Sequence, residues 1–222
     1  MSHGLRLVLL GRQGAGKGTQ AQLLADNYGV EHLSTGDLFR AAAAEGTRAG
    51  LEAKRFMDEG ELVPDATVVR VVEERFTVDF LERGFVLDGF PRTLPQAREL
   101  ERVLNGHQLD LVIDLDVARE IVVDRIAGRR VCESCGATYH VSMPPQHDWT
   151  CDTCGGRVVQ RDDDTEEAVA RRLEIYDAET VPIIDFYCNL GKLVVVDGVG
   201  ETDDVFKRLV AEVEQRYDPE ST

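Results

Sequence analysis

The sequence predicts an α/β fold in which a doubly wound parallel sheet carries two inserted segments. Two observations predict the sheet: short apolar runs alternate with helical patterns, and a glycine-rich loop follows the first apolar run. Strands that alternate with helices form parallel sheets with helices on both faces. A third observation predicts the insertions, because two stretches interrupt the alternation and one of them contains two Cys-x-x-Cys pairs.

Composition limits the partners that this chain can have. It has 222 residues, 43% of them hydrophobic, which is enough for one sizeable core. A net charge of −16 repels nucleic acid and anionic membranes, so neither is an expected partner. No apolar stretch approaches the roughly 20 residues that span a bilayer, and the first apolar run is shorter than a signal-peptide core of ~7–15 residues. We therefore expect a cytoplasmic protein.

The glycine-rich loop at residues 11–19 follows the apolar run at residues 5–10. Its glycines let backbone N–H groups approach phosphates closely, while Lys17 neutralises phosphate charge and the next helix directs its positive N-terminus at the same anion. The loop departs from the general pattern G-x-x-x-x-G-K-[ST], because Gly18 follows the lysine and Thr19 comes one place later. We interpret it as a nucleotide-phosphate loop, and the sheet as one of the P-loop NTPase type.

The remaining elements follow from hydrophobic periodicity. Four apolar runs lack polar alternation, which is typical of parallel strands buried on both faces; they cover residues 5–10, 85–87, 111–115 and 193–196. Residues 30–33 are a shorter, fifth candidate. Helical patterns cover residues 19–25, 67–82, 94–104, 118–126 and 166–190. Ligands of such folds lie at the carboxyl ends of the strands, where the glycine loop and Asp88 fall.

Two segments break this alternation. Residues 34–63 are compact and mostly helical in pattern, whereas residues 128–164 are rich in Cys, Gly and Pro. We interpret both as insertions over the ligand-binding edge of the sheet. The expected division is therefore a core domain of residues 1–33, 64–127 and 165–222, with the two insertions as separate flaps.

The second inserted segment has the cysteine spacing of a tetrahedral metal site, formed by Cys132, Cys135, Cys151 and Cys154. Disulfides are disfavoured because a cytoplasmic chain keeps its thiols reduced. Four thiolates favour zinc, although the ligands alone are also compatible with iron. A closed site leaves no position for substrate, so we expect a structural metal that replaces the hydrophobic core of a small flap. His140 and His147 are expected to be ordinary polar residues.

Further motifs are rich in arginine, whose guanidinium stays charged and grips phosphate oxygens in a fork. Taken together, the motifs resemble the adenylate kinase family from about residue 5 to residue 200. They are Gly14-Ala15-Gly16-Lys17-Gly18-Thr19-Gln20, Leu33-Ser34-Thr35-Gly36-Asp37, Leu87-Asp88-Gly89-Phe90-Pro91-Arg92, Asp124-Arg125-Ile126-x-Gly128-Arg129-Arg130 and Arg161-Asp162-Asp163-Asp164. The cysteine segment looks like the long zinc-carrying lid of many bacterial members.

The resemblance implies the reaction MgATP + AMP ⇌ 2 ADP, with residues 34–63 closing on AMP and the 128–164 lid closing on ATP. The implied ATP-binding residues are Gly14, Ala15, Gly16, Lys17, Gly18, Thr19, Arg125, Arg129, Thr138, Tyr139 and Gly200. The implied AMP-binding residues are Thr35, Arg40, Glu61, Leu62, Val63, Gly89, Phe90, Pro91, Arg92, Gln96, Arg161 and Arg172. The implied catalytic residues are Lys17, Arg92, Arg129, Arg161, Arg172, Asp163 and Asp164.

The acidic residues have other expected roles. Asp88 ends an apolar run, where its carboxylate can face magnesium through water. Asp163 and Asp164 are expected to tie the closed lid to the core by accepting hydrogen bonds from arginines. Neither acts as a base, because the AMP phosphate is already an anionic nucleophile and catalysis is positioning with charge neutralisation. The expected cofactors are Mg²⁺ with ATP and structural Zn²⁺; the expected partners are ATP, AMP and ADP, bound by a monomer.

Two other functions are compatible with parts of the sequence. A related kinase could phosphorylate UMP, CMP or GMP, but Thr35 together with Gln96 favours adenine within this family. A zinc-ribbon protein could bind nucleic acid under control of ATP, but the cysteine knuckles carry no stripe of basic and aromatic residues, and the chain is acidic. An assay with each nucleoside monophosphate and a titration with single-stranded DNA distinguish the three.

Overall fold

The computed structural model describes residues 4–104 and 106–217, so the ends of the expected core domain, residues 1–3 and 218–222, lie outside the described residues. Its strands are β1 (Arg6–Leu10), β2 (Glu31–Ser34), β3 (Phe85–Asp88), β4 (Leu111–Asp116), β5 (Arg129–Cys132), β6 (Thr138–His140), β7 (Val158–Val159) and β8 (Leu193–Asp197). Five of them form the main sheet in the order β2-β3-β1-β4-β8, and all neighbours are parallel. The five expected strands and the parallel α/β fold are confirmed.

Helices connect the parallel strands. They are α1 (Lys17–Tyr28), α2 (Thr35–Ala44), α3 (Arg48–Asp58), α4 (Asp65–Arg75), α5 (Val78–Arg83), α6 (Leu94–Val103), α7 (Arg119–Ala127), α8 (Glu166–Ile175), α9 (Val181–Asn189) and α10 (Thr202–Glu214). Residues Leu7 and Leu9 of β1 belong to one buried apolar cluster, and Val8 and Leu10 belong to another. Since alternate residues of a strand point to opposite faces, the sheet has a hydrophobic core on each side.

The helical pattern at residues 67–82 forms two helices rather than one. α4 ends before Phe76, and the hydroxyl of Thr77 accepts a hydrogen bond from the N–H of Phe80 at 3.2 Å, which starts α5. The ring of Phe76 stacks on Phe80 and on Phe85, with centroids 5.2 and 5.5 Å apart. A threonine cap and an aromatic cluster thus favour the break over a continuous helix.

The helical pattern at residues 166–190 is also divided. Between α8 and α9, the residues Tyr176–Thr180 form a π-helix. Pro182 follows at the start of α9. A proline has no N–H to donate and its ring crowds the carbonyl four residues before it, so the regular hydrogen-bond pattern is interrupted here.

One strand differs from expectation in its burial. β8 was expected to be buried on both faces, and this is wrong, because Val195 is 57% exposed. The physical reason is position, since β8 lies at the edge of the sheet and pairs only with β4 among the main-sheet strands that the structure describes. Within residues 4–104 and 106–217, no helix is long and apolar enough to cross a membrane.

The inserted segments have different architectures. Residues 34–63 contain α2 and α3, which pack on each other, whereas residues 128–164 contain a small antiparallel sheet in the order β6-β5-β7. In this sheet Arg129 pairs with His140 and Val131 pairs with Val159. The second segment, whose sequence shows little helical periodicity, therefore forms short strands and turns.

Candidate active site

The glycine loop connects β1 to α1 at the carboxyl end of the sheet. Gly14 and Gly16 have φ angles of 84° and 102°, a backbone conformation that residues other than glycine rarely adopt. A Cβ at Gly14 would lie 2.7 Å from the carbonyl oxygen of Val122, so the position also excludes a side chain sterically. α1 begins at Lys17 with no side-chain cap and no acidic residue in its first turn. Its free N–H groups and positive end therefore suit an anion.

Lys17 lies inside the curve of this loop. Its Nζ donates hydrogen bonds to the carbonyl oxygens of Gly11 and Arg12, at 2.7 and 2.8 Å. Burial lowers the pKa of Lys17 to about 8, although the nearby carboxylate of Asp88 acts in the opposite direction. A buried ammonium held only by neutral carbonyls binds phosphate oxygens strongly, because these carry charge.

Asp88 ends β3, beside the glycine loop. Its Cα pairs with Leu9 of β1 and Ser34 of β2, and a Cβ at Gly18 would lie 3.4 Å from its Oδ2 atom. Nε2 of His32 lies 3.9 Å from Oδ2. A half-buried carboxylate at the mouth of the glycine loop is the oxygen donor that Mg²⁺ prefers, so the residues present fit a magnesium ion bound with nucleotide.

The start of the first inserted segment contacts the loop after β3. The hydroxyl of Thr35 donates to the carbonyl oxygen of Gly89 at 2.8 Å, and Nε of Arg92 donates to the same oxygen at 2.8 Å. Ser34 caps α2 by accepting from the N–H of Asp37. Thr35, Gly89 and Arg92, all of them expected AMP-binding residues, thus lie together.

Gln96 is held at both ends of its side chain. Its Oε1 accepts the N–H of Arg92 at 2.8 Å, and its Nε2 donates to Oδ1 of Asp65 at 2.7 Å. The other oxygen of Asp65 accepts the hydroxyl of Thr93 at 3.0 Å. Gln96 is 1% exposed. Asp65, which sequence reasoning missed, therefore fixes the orientation of Gln96. The one sequence signal for Asp65 is its place after a proline at the start of a helix.

Asp163 and Asp164, at the end of the lid segment, form close pairs with arginines. Asp164 accepts two hydrogen bonds from Arg129, one of them from Nε at 2.8 Å. Asp163 accepts from Nη2 of Arg172 at 2.7 Å and lies 4.0 Å from Nη1 of Arg40. Sequence neighbours offer Arg172 no acidic partner one helical turn away, and the structure supplies one from nine residues earlier. The two aspartates hold both arginines in fixed directions.

Burial perturbs this cluster. Burial alone would raise the pKa of the Asp163 carboxyl, but Arg172 and Arg40 outweigh it and the pKa is lowered. Desolvation lowers the pKa of Arg161 to about 10, and the positive charges of Arg40 and Arg129 act in the same direction. Desolvation by the surrounding protein also lowers the pKa of Arg92, although part of this side chain is exposed to solvent. Repulsion between desolvated guanidinium groups is relieved when a polyanion binds between them, so such a cluster favours binding of a polyanion.

The other expected ATP-side residues lie around the glycine loop and in the lid. Arg125 donates to the carbonyl oxygens of Ala15 and Gly198, at 3.1 and 3.2 Å. Gly200, with φ of 127°, follows β8 at the same edge of the sheet. Thr138 and Tyr139 belong to β6 of the lid.

The end of α3 and the segment that follows it lie against α8. Nη2 of Arg172 donates to the carbonyl oxygen of Met57 at 2.5 Å, and Nε of Arg171 donates to Oε1 of Glu61 at 2.7 Å. A Cβ at Gly60 would lie 2.5 Å from the carbonyl oxygen of Ala168. The first inserted segment and the arginine-bearing helix are therefore in direct contact.

The four expected metal ligands are brought together. The Sγ atoms of Cys132, Cys135, Cys151 and Cys154 all lie within 4.8 Å of one another. Cys132 lies 3.5 Å from Cys154 and Cys135 lies 3.6 Å from Cys151, and the described cysteines form no disulfide. Four convergent sulfur atoms at the end of a small sheet fit a tetrahedral zinc ion. His140 and His147 do not join the group, as expected.

Tyr139 supports this cysteine cluster. Its hydroxyl donates to Sγ of Cys151 at 3.3 Å and accepts the N–H of Asp152 at 2.8 Å. Its hydroxyl is therefore bonded to the cysteine knuckle, and the expected contact of Tyr139 with ATP stays a prediction. His140, the next residue, bonds to Oγ of Ser142 at 2.6 Å and packs on Gly128, where a Cβ would lie 2.0 Å from its Nε2.

Comparison with known proteins identifies the chain's relatives. A family model described as "Adenylate kinase" matches residues 9–192. The chain is 49% identical over 205 residues to an adenylate kinase of Carboxydothermus hydrogenoformans, covering 91% of this chain and 96% of that protein. It is 46% identical over 213 residues to one of Clostridium novyi, covering 95% and 99%. An adenylate kinase of Methanosarcina barkeri is 47% identical over 210 residues, covering 93% and 97%.

Proposed function

The chain belongs to the adenylate kinase family and is an ATP:AMP phosphotransferase, and we propose that its glycine loop and arginine cluster carry the reaction MgATP + AMP ⇌ 2 ADP. The observation that carries the proposal is the convergence of one lysine and several partly buried arginines, among them Arg129, Arg161 and Arg172, on a chain of net charge −16. Positive charge is costly to bury, so its concentration at one cleft indicates a polyanionic substrate.

We assign the ATP phosphates to residues 14–19, with Lys17 at the transferring end. The N-terminus of α1 and the backbone N–H groups of the loop bind the anion. Magnesium bound with ATP would neutralise charge on the phosphate oxygens. Asp88 would hold it through water, which agrees with the carboxylate's position beside Gly18.

We assign the AMP phosphate to Arg40 and Arg92, and the transferring phosphoryl group to Arg129, Arg161 and Arg172. The carboxylates of Asp163 and Asp164 orient two of these arginines, so their guanidinium groups need not reorganise during transfer. The residues contribute positioning and charge neutralisation rather than proton transfer. The expected roles of Thr35 and Gln96 at the base remain part of this proposal, as do those of residues 61–63.

The proposed division of labour gives residues 34–63 to AMP and the lid, residues 128–164, to ATP, with the remainder as core. Closing both segments excludes water, which would otherwise hydrolyse ATP. The four cysteines would hold a structural zinc, with no position left for substrate. We also propose a cytoplasmic monomer, because free thiols suit a reducing compartment and segments on both sides of the cleft need room to move.

The test is a coupled assay of ADP formation from MgATP with AMP, UMP, CMP or GMP in turn. AMP is expected to give the highest kcat/KM. In the same assay Lys17→Ala should lose roughly 10²–10³-fold in kcat, the scale for one preorganised donor. The matched control is Lys207→Ala, because Lys207 is exposed on α10. Preference for another monophosphate, or near wild-type turnover of a folded Lys17→Ala variant, would contradict the assignment.

A further inference from the structure

The π-helix Tyr176–Thr180 contacts both loops to which the proposed reaction assigns phosphates. Single π-helical turns within α-helices occur frequently at functional sites. This one joins α8, which carries Arg172, to α9. Its first residues face the glycine loop after β1, and its last residue faces the loop after β3. It is therefore an element through which the two phosphate-binding loops are connected.

The first end of the π-helix holds Arg12, the second residue of the glycine loop. Nη2 of Arg12 donates to Oδ1 of Asp177 at 3.0 Å, and the guanidinium lies over the ring of Tyr176, 5.3 Å from its centroid. The hydroxyl of Tyr176 donates to Oδ1 of Asp114 in β4 at 3.1 Å. Since the carbonyl oxygen of Arg12 accepts from Lys17, Asp177 holds the residue whose backbone holds the lysine.

The other end holds the backbone of Arg92. The hydroxyl of Thr180, which is 6% exposed, donates to the carbonyl oxygen of Arg92 at 3.1 Å. The N–H of Arg92 is bonded to Gln96. The backbone of Arg92 is thus fixed on both sides of its Cα, and the side chain is held separately by the hydrogen bond from its Nε to the carbonyl oxygen of Gly89.

We propose that Thr180 and Asp177 are positioning residues that keep the two phosphate-binding loops at a fixed separation. The inference rests on the proposed function, in which the glycine loop binds ATP and Arg92 binds AMP. Reacting groups must be held about 3–3.5 Å apart, and a displacement of about 1 Å lowers a rate by ~10²-fold. A π-helix bonded to a loop at each end opposes that displacement, because neither loop shifts without losing a contact.

The two ends predict different kinetic effects. Thr180→Val keeps the shape of the side chain and removes the donor. We expect KM for AMP to rise about three- to tenfold, the scale of one lost hydrogen bond, while KM for MgATP changes less than about twofold. We also expect kcat to fall, because the AMP loop is no longer held at a fixed distance from the glycine loop. Asp177→Ala releases Arg12 and should raise KM for MgATP by a larger factor than it raises KM for AMP. Asp185→Ala, an exposed acid on α9, is the matched control.

Conservative replacement distinguishes positioning from general destabilisation. Thr180→Ser keeps the hydroxyl and should retain KM for AMP within about twofold of wild type, whatever its melting temperature. KM values are measured for each substrate at saturating partner, at a temperature where circular dichroism shows every variant folded. The inference is overturned by an unchanged KM for AMP in Thr180→Val, by equal rises in both KM values, or by a Thr180→Ser variant as impaired as Thr180→Val. Wild-type turnover of AMP tests the proposed function separately.

Discussion

At Lys17, the environment that disfavours charge is also the one that makes the charge useful. Burial lowers the pKa of its ammonium to about 8, whereas an exposed lysine stays charged to about pH 10.4. Its present acceptors are the neutral carbonyls of Gly11 and Arg12. Phosphate oxygens are charged and make stronger hydrogen bonds, so binding of ATP favours the protonated form.

The lowered pKa predicts proton uptake when nucleotide binds above pH 8. Above its pKa in the free protein Lys17 is mostly neutral, and a bound phosphate raises that pKa, so a proton is taken up; at pH 6.5 the ammonium is already charged and Lys17 contributes none. Titration calorimetry with MgATP at pH 8.5, in two buffers of different ionisation enthalpy, should report uptake of roughly half to three-quarters of a proton. Lys17→Arg keeps the charge without titrating and should lose this uptake; equal uptake in both proteins would contradict the prediction.

At the scale of elements, the lid is joined to α7 through a glycine. α7 ends at Ala127, Gly128 follows, and β5 begins at Arg129. The imidazole of His140 on β6 covers Gly128 so closely that a Cβ there would lie 2.0 Å from Nε2. The N–H of Val141 also donates to the carbonyl oxygen of Gly128 at 2.8 Å. A missing side chain therefore permits the small sheet to pack on its own point of attachment.

Gly128→Ala is expected to displace His140 and loosen the lid. Forcing an extra methyl group into a packed contact costs about 1–3 kcal/mol. Hydrogen exchange should therefore increase in residues 129–159 while exchange in the main sheet stays unchanged. The double variant Gly128→Ala/His140→Ala removes the clashing ring. The increase in exchange that Gly128→Ala causes should therefore be smaller in the His140→Ala background than in the wild-type background. Exchange in Gly128→Ala identical to wild type would show that the ring moves aside without consequence.

For the molecule as a whole, stability is unevenly distributed. The main sheet has a large apolar cluster on each face, whereas the buried apolar cluster of the lid consists of Cys132, Cys151 and Val158. A core this small does not stabilise a segment by hydrophobic burial alone. Metal binding by the four cysteines supplies folding free energy to the part of the molecule that lacks it.

Removal of zinc is therefore expected to lower the melting temperature, with the lid loosening before the main sheet. Chemistry should survive at low temperature, because Lys17 and the arginines supply it together with magnesium, and no zinc takes part. The measurement is thermal unfolding and kinase activity after chelation, with excess magnesium restored and a zinc-replenished sample as control. Loss of activity at a temperature where the metal-free protein is folded, lid included, would falsify a purely structural role.

Local patterns in the sequence were sufficient for the sheet, the glycine loop and the cysteine cluster. Apolar runs, positive-φ glycines and two Cys-x-x-Cys turns each depend on residues close together in the chain, so periodicity and spacing reveal them. The exposure of Val195 and the division of residues 166–190 were decided by the tertiary structure and by Pro182, against the pattern.

The partners of the site residues came only from the tertiary structure. Thr180 and Arg92 are 88 residues apart, and Gln96 and Asp65 are 31 apart. The acid that orients Arg172 is nine residues away, outside the three- and four-residue spacings that a helix brings together. The sequence therefore determined which chemistry the chain carries. How each charged group is held depends on contacts between distant segments, which exist only once the sheet has brought the ends of its strands to one edge.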